Sequence, residues 1–309
     1  MNEKLVFGEY RRVANANRTT FRLLGHELFT YAKMTKPMVW GSLVITAILG
    51  FFTGAALTSE FNFTRFFLVA IALAAGTAGC ESITNRIDLP LDRLMDRTLM
   101  RPLPAGELDG RTAILAGSAL LVIAVATSLV LGPLFLCLMV FGIVDNIAVY
   151  SFWLKRRTSQ NILWGGFSGA IPVMFGFLAS DPDSIILAIL LFTLVFSWTP
   201  PHIWSLSVEF KEDYARAGIP MLPVVSGRRT WVTAISIFYI LMLSTSLLLL
   251  ITEGMDNIAL SALVILDSIS VALLIDFLKQ PEEKAHRFFI FLNAYLVTVL
   301  IILFANAVI

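Results

Sequence analysis

Asp88, Asp92 and Asp96 recur at four-residue intervals in the run TNRIDLPLDRLMDRTLMRPL, residues 84–103, with Arg93, Arg97 and Arg101 beside them. On a helix the three carboxylates would share one face, where like charges repel. A divalent cation between them removes the repulsion. Hard oxygen ligands suit Mg²⁺, which takes one or two carboxylates and completes its shell with water or phosphate. Arg97 and Arg101, also four apart, form a fork suited to a phosphate or a carboxylate. The chemistry such a run could do is metal-assisted binding of an anion, and it names no substrate by itself. The structural alternative is a solvated helix end on which Arg93 and Arg97 neutralise the aspartates, each pair contributing about 0.3 kcal/mol. Pro90 removes a backbone donor and should kink or restart the chain between Asp88 and Asp92.

A second charged run, SWTPPHIWSLSVEFKEDYARAGIPMLPVVSGRR, spans residues 197–229. Pro200 and Pro201 should break a helix there, and His202 follows with Trp198 and Trp204 around it. A lone histidine commonly packs as a hydrogen-bonded core residue, but an ionisable side chain beside an intramembrane helix break is a candidate site. Glu209 and Asp213 stand four apart, with Lys211 and Arg216 nearby. Two acidic pairs at equivalent helix ends would make opposed walls of one cavity. Between the runs lies YSFWLKRRTSQNILWGGFSGAIPVMFG, residues 150–176. Its Lys155, Arg156 and Arg157 serve as topology markers or as anion ligands. Gly165, Gly166, Gly169 and Gly176 either let a helix pack closely or clear room for a large flat ligand. Most of the nearby aromatics, Trp40, Phe141, Tyr150, Trp153 and Trp164, belong to the interface or the core. A minority could stabilise a carbocation by cation–π contact.

These charges interrupt an otherwise oily chain. Of 309 residues, 57% are hydrophobic and only 15% charged, outside the range of soluble globular proteins. Crossing a bilayer takes about 20 mostly apolar residues. Nine windows qualify: 37–58, 65–84, 112–131, 133–153, 161–180, 184–206, 231–252, 257–277 and 287–308. The expected fold is an all-α integral membrane protein, a bundle of nine transmembrane helices with its active-site loops on the cytoplasmic side.

Basic residues test that count, because short cytoplasmic loops collect Lys and Arg. The segment before the first window and the loops after the even-numbered windows hold nearly all of them, and the odd-numbered loops hold only Arg65. This sorting places the N-terminus in the cytoplasm and the C-terminus outside, with residues 1–36 a cytoplasmic segment of one polytopic domain spanning 1–309. No cleavable signal peptide is evident, since the first 36 residues mix Glu3, Glu9 and Glu27 with basic residues. Cys80 and Cys137 form no spacing pattern and read as apolar fillers. No loop is long enough for a soluble domain. No Ser-His-Asp or Cys-His arrangement indicates a covalent nucleophile, and nothing indicates nucleic acid as a partner.

Three blocks carry a resemblance: DLPLDRLMDRTLMRPLPAG, YSFWLKRRTSQNILWGGFSGAIPVMFG and WTPPHIWSLSVEFKEDYARAGIPMLPVV. In order and spacing the chain resembles the heme O synthase family within the intramembrane prenyltransferase superfamily. The first block is shared in outline with quinone and lipid prenyltransferases; the other two point to the heme branch. The resemblance implies farnesyl transfer from farnesyl diphosphate to a vinyl group of heme B, followed by hydration, with Mg²⁺ as cofactor. It implies Asp88 and Asp92 as metal ligands and Arg97 and Arg101 as a clamp on diphosphate or a heme propionate. Lys155 and Arg156 would neutralise the leaving diphosphate, and Asp213, with Glu209, would form a second acidic metal site. His202, Tyr150, Asn161, Trp198 and Tyr214 would contact substrate, His202 by orienting the heme. Heme A synthase and terminal oxidase assembly proteins are the implied partners. Glu81 and Thr84 depart from the family, which commonly has asparagine at both positions.

Three other readings remain at this point. The same diphosphate chemistry on a quinone precursor or lipid would leave the third block unexplained. A transporter could use intramembrane Glu81 and Asp145 as an ion path, but the charges gather at helix ends instead of the midplane. A structural assembly factor would leave both acidic pairs without a purpose.

Overall fold

In a computed structural model of the protein, residues 29–309 are described. The expected segment 1–36 lies mostly outside them. Among the described residues nine helices are long and apolar enough to cross a membrane. They are α1 (Pro37–Thr58), α2 (Phe63–Asp92), α3 (Gly110–Leu131), α4 (Pro133–Val144) running on as a π-helix (Asp145–Leu154), and α5 (Asn161–Ser180). After α6 (Ile185–Glu209), short helices α7 (Lys211–Arg216) and α8 (Leu222–Val225) lead into α9 (Arg228–Glu253), α10 (Asn257–Lys279) and α11 (Pro281–Val308). The protein is therefore a multi-pass, all-helical membrane protein, as the oily windows indicate.

Local chemistry sets the helix ends. Pro37, Pro133 and Pro281 start their helices at positions where the missing N–H costs nothing. The Asn62 side chain accepts from the Arg65 N–H, and Asp256 accepts from the N–H groups of Ile258 and Ala259. Between α3 and α4 the whole connection is Gly132, at φ 131°, a backbone that favours glycine.

The packing order decides where a site can form. Helix α1 lies along α5, α2 along α3, and α6 touches α5, α9 and α11. Helix α5 is the most buried span and α3 the most exposed. The closest approach is between α1 and α5. A Cβ on Gly176 would lie 1.9 Å from the Ala47 carbonyl oxygen, and one on Gly50 would lie 2.5 Å from that of Val173. Gly50 and Gly54 form a G-x-x-x-G face, which lets two helix backbones meet in lipid where apolar burial gives no driving force. Across the far half of the bundle, Tyr295 donates to Asp267 at 2.8 Å and Tyr239 to the Ser270 carbonyl at 2.9 Å, tying α9, α10 and α11 together.

The prolines behave differently from expectation. Helix α2 continues through Pro90 to Asp92, and α6 continues through Pro200 and Pro201 to Glu209. Pro90 sits in the last turn, so only one intrahelical bond is lost. In α6 neighbouring helices hold the backbone in place, with Trp198 Nε1 donating to the Leu292 carbonyl of α11 at 2.7 Å. Because α2 is unbroken, Asp88 and Asp92 do share one face.

Candidate functional site

Asp88 and Asp92 project from the end of α2 and are both buried. Lys155 donates to Asp88 Oδ2 at 2.5 Å from the residue that follows the π-helix. Arg101 reaches both oxygens of Asp92, at 3.2 and 3.1 Å. Arg156 donates to the Ile87 carbonyl at 2.7 Å. Burial by itself favours the neutral amine of Lys155, yet the charge of Asp88, with Tyr150 and Asp92, outweighs it and holds the group above its ordinary value. Lys155 is therefore a fixed cation near neutral pH.

Two oxygens beside these pairs have no partner. Asp88 Oδ1 and Asn85 Oδ1 are buried and unpaired, while Asn85 Nδ2 donates to the Met34 carbonyl at 2.7 Å. Unsatisfied buried acceptors are rare in folded proteins and call for an explanation. Asn85 and Asp88 stand three residues apart on α2, and carboxylate and amide oxygens are the donor types that fit a hard divalent cation. Among the described residues no three His, Cys, Asp or Glu side chains cluster for a metal. Two carboxylates suffice for Mg²⁺ when substrate phosphates supply the rest.

Asp213 reaches the same end of the bundle in another role. Its oxygens accept from the backbone N–H groups of Asp96 and Arg97 at 3.3 and 3.1 Å, and from Arg216 at 2.6 Å. Asp96 also pairs with Arg216 at 2.9 Å. Asp213 thus staples the loop that carries Arg97 and Arg101, and Arg97 lies over the Phe210 ring, 5.0 Å from its centroid. Of the second acidic pair, Glu209 closes α6 and pairs with His286 at 2.9 Å, with a helix boundary at Phe210 between it and Asp213. Replacing Asp213 by Asn is expected to cost about 1–3 kcal/mol of stability through weakened loop bonds. The same change should raise the KM for an anionic substrate more than it lowers kcat, as steady-state kinetics would read.

A cavity of about 240 Å³ lies within the bundle between α1, α2, α4 with its π-helix, α5 and α6. Leu73, Gly76, Met139 and Ile171 give it apolar walls, and Glu81 and Tyr150 stand in its lining. Lys36 holds Glu81 at 2.8 Å. The glycines of α5 divide by role. Gly165, Gly166 and Gly169 line the cavity, whereas Gly176 serves the contact with α1. A Cβ on Gly169 would meet nothing within 4 Å.

The π-helix sets which residues face that space. From Asn146 to Lys155 is nine residues, two and a half turns of α-helix at 3.6 residues per turn, which would put them on opposite faces. In the wider i→i+5 spiral nine residues make close to two turns, so Asn146, Tyr150 and Lys155 align. Lys155 Nζ lies 5.7 Å from the Tyr150 ring centroid, and both Tyr150 and Asn146 line the cavity. A regular helix over 133–153, as the hydropathy suggests, would keep Asn146 on the cavity face, four residues from Gly142 and from Tyr150, and would turn Lys155 away from it. Asn146 and Lys36 are the two residues of this region that sequence reasoning passed over, and no local signal marks either.

Among the expected substrate contacts, Tyr150 lines the cavity and Asn161, fully buried, donates to the Lys155 carbonyl at 3.2 Å. Tyr214 is buried on α7. His202 is not brought to the cavity. It is stacked between Trp198 and Phe289, at ring separations of 4.2 and 4.3 Å, on the side of α6 that faces α11. Its neighbours Thr199 and Ile203 take the cavity side.

An acidic pair with matched cations, about two turns of α2 beyond the Glu81 that lines an apolar intramembrane cavity, suits an amphiphilic substrate with an anionic head. The UbiA prenyltransferase family matches residues 43–295. The chain belongs to the UbiA prenyltransferase family. A protoheme IX farnesyltransferase of Synechococcus sp. is 37% identical over 277 residues, covering 87% of this chain and 82% of that protein. Protoheme IX farnesyltransferase 1 of Picrophilus torridus is 34% identical, covering 90% and 94%. The fold matches solved UbiA relatives. A digeranylgeranylglyceryl phosphate synthase aligns with TM-score 0.77 at 20% identity, over 92% of this chain and 99% of that one. A UbiA homolog from Archaeoglobus fulgidus bound to DMAPP and Mg²⁺ aligns with TM-score 0.61 at 17% identity, over 89% and 99%. At those identities the likeness concerns the fold alone.

Proposed function

We propose that this UbiA prenyltransferase transfers the farnesyl group of farnesyl diphosphate to a vinyl group of heme B and adds water, giving heme O and diphosphate. One observation supports the reading: the Asp88, Asp92, Lys155 and Arg101 cluster stands about two turns of α2 beyond Glu81, which lines an apolar cavity, in a chain whose relatives over most of its length are protoheme IX farnesyltransferases. The cavity takes the prenyl tail, and the cluster takes the diphosphate.

Asp88 and Asp92, with the Asn85 oxygen, would hold Mg²⁺. The ion, when bound, supplies electrostatic stabilisation of a departing diphosphate. This chain's own cations do the rest of that work. Lys155, kept protonated by Asp88, and Arg101 on Asp92 are placed to transfer their pairing from carboxylate to diphosphate oxygens, with Arg97 and Arg156 at the rim. An allylic cation formed there must be kept from water, which the apolar walls do. The Tyr150 ring, already beneath one cation, offers its face to the carbon that becomes positive. The heme vinyl group then attacks that carbon, and no side chain need act as a covalent nucleophile.

In this reading the acidic end faces the cytoplasm, in line with the sorting of Lys and Arg, and the C-terminus lies outside the cell membrane. The spans form one polytopic domain whose product passes to heme A synthase or terminal oxidase assembly proteins. His202 acts by holding α6 against α11 and touches heme only if α11 opens.

The deciding experiment incubates purified protein with heme B, farnesyl diphosphate and Mg²⁺ and follows the products by mass spectrometry. Farnesylated, hydrated heme is expected. Prenylation of a quinone precursor or a glycerol lipid in parallel reactions, with heme B left untouched, would replace the heme reading by its alternative.

A further inference from the structure

The cavity that takes the prenyl tail is apolar except for a few groups, and one of them is unused. Asn146 Oδ1 is buried with no hydrogen-bond partner, yet the residue lines the cavity. An amide oxygen buried without a partner is costly, so its place in an apolar wall calls for an explanation. The π-helix puts this oxygen on the same face as Tyr150 and Lys155, about two turns deeper than the diphosphate end. Ser168 lies close by on α5. Its backbone N–H donates to Asp145, the neighbour of Asn146, at 3.0 Å. Its hydroxyl donates to the Gly165 carbonyl at 2.9 Å, which leaves the hydroxyl oxygen free to accept. Ser168 lines the same cavity. A buried water needs two to four polar partners, and the Asn146 amide and the Ser168 hydroxyl are two polar groups in the lining of a cavity whose wall otherwise repels water.

We infer that Asn146 and Ser168 hold the single water that hydrates the heme side chain after farnesyl transfer. The inference rests on the heme reading above. Bond formation between the farnesyl C1 and the terminal vinyl carbon leaves a positive charge on the vinyl carbon attached to the porphyrin. The water oxygen donates a lone pair to that carbon, with one O–H directed to Asn146 Oδ1. The resulting oxonium loses its second proton to the diphosphate released in the same turnover, and a neutral secondary alcohol remains. Without a held water the cation loses a proton from the former terminal vinyl carbon, and the product is an alkene lighter by one water. Asn146 is a water-positioning residue in this scheme, and its signature is the identity of the product.

The test replaces Asn146 by Leu, which keeps its branched shape at a larger volume and removes the acceptor, and by Ala, which only enlarges an existing cavity. Ser168→Ala removes the second partner. Purified variants are given heme B, farnesyl diphosphate and Mg²⁺, and the ratio of hydrated to dehydrated farnesyl heme is read by mass spectrometry. The wild type should give hydrated product almost alone. Either Asn146 variant should shift the ratio toward the alkene by at least tenfold, and Ser168→Ala should shift it less. Wild-type product ratios in both Asn146 variants would overturn the inference, as would a loss of diphosphate release in folded protein with no alkene formed. A wild type that makes no farnesyl heme would instead remove the heme reading itself.

Discussion

Asp88→Asn is expected to lower the rate of diphosphate release by at least about a thousandfold, the scale seen when a preorganised charge is taken from a transition state. Asp92→Asn should lose a similar amount, because its carboxylate is the other half of the same donor set and the anchor of Arg101. The Asp88 change has a second effect that separates chemistry from folding. Lys155 and Asp88 are both largely buried, with side-chain exposures of 16% and 8%, so removing one partner leaves an uncompensated charge. That costs about 3–5 kcal/mol, whereas removing both can be nearly neutral. The double variant Asp88→Asn with Lys155→Met should recover thermal stability and remain inactive. Recovery of turnover in the double variant, or wild-type turnover in both single Asp variants, would show that these carboxylates serve structure only.

Gly169→Leu is the second large effect, and it falls on substrate choice. Gly169 lines the cavity with open space where a side chain would stand, so leucine enters without displacing backbone. Helix propensity also improves by about 1 kcal/mol, and the unfolding temperature should hold or rise. The leucine takes the room of roughly one isoprene unit. Losing the burial of about four methylene equivalents costs roughly 3 kcal/mol, near a hundredfold in kcat/KM for farnesyl diphosphate. A prenyl diphosphate one unit shorter should lose less than tenfold. Equal losses for both chain lengths would place the tail elsewhere.

Helix positions were largely legible from composition. The windows 37–58 and 161–180 coincide with Pro37–Thr58 and Asn161–Ser180, and the others differ at their ends by up to eight residues. The largest difference is at the end of α2, where charged residues continue a helix that hydropathy alone would stop. The prolines misled because a missing backbone donor weighs less inside a packed membrane bundle than in an isolated helix. Asp88 and Asp92 were legible from spacing, as were Arg101 and Lys155 from charge. The partners of Glu209 and Asp213 were not, since Glu209 meets His286 and Asp213 meets the Asp96 and Arg97 amides, all distant in sequence.

By itself the sequence determined the membrane class, the helix number and the acidic face of α2, because hydrophobic length and residue period are local properties. Only the tertiary structure decided which charges meet. Lys155 reaches Asp88 across 67 residues of chain, and Asp213 reaches the Arg97 backbone across 116, so both depend on how the helices pack. The same holds for the π-helix that brings Lys155 to the face of Asn146 and Tyr150, the division of the α5 glycines between packing and cavity, and the burial of His202 against α11. Each is fixed by a neighbouring helix that no local pattern specifies.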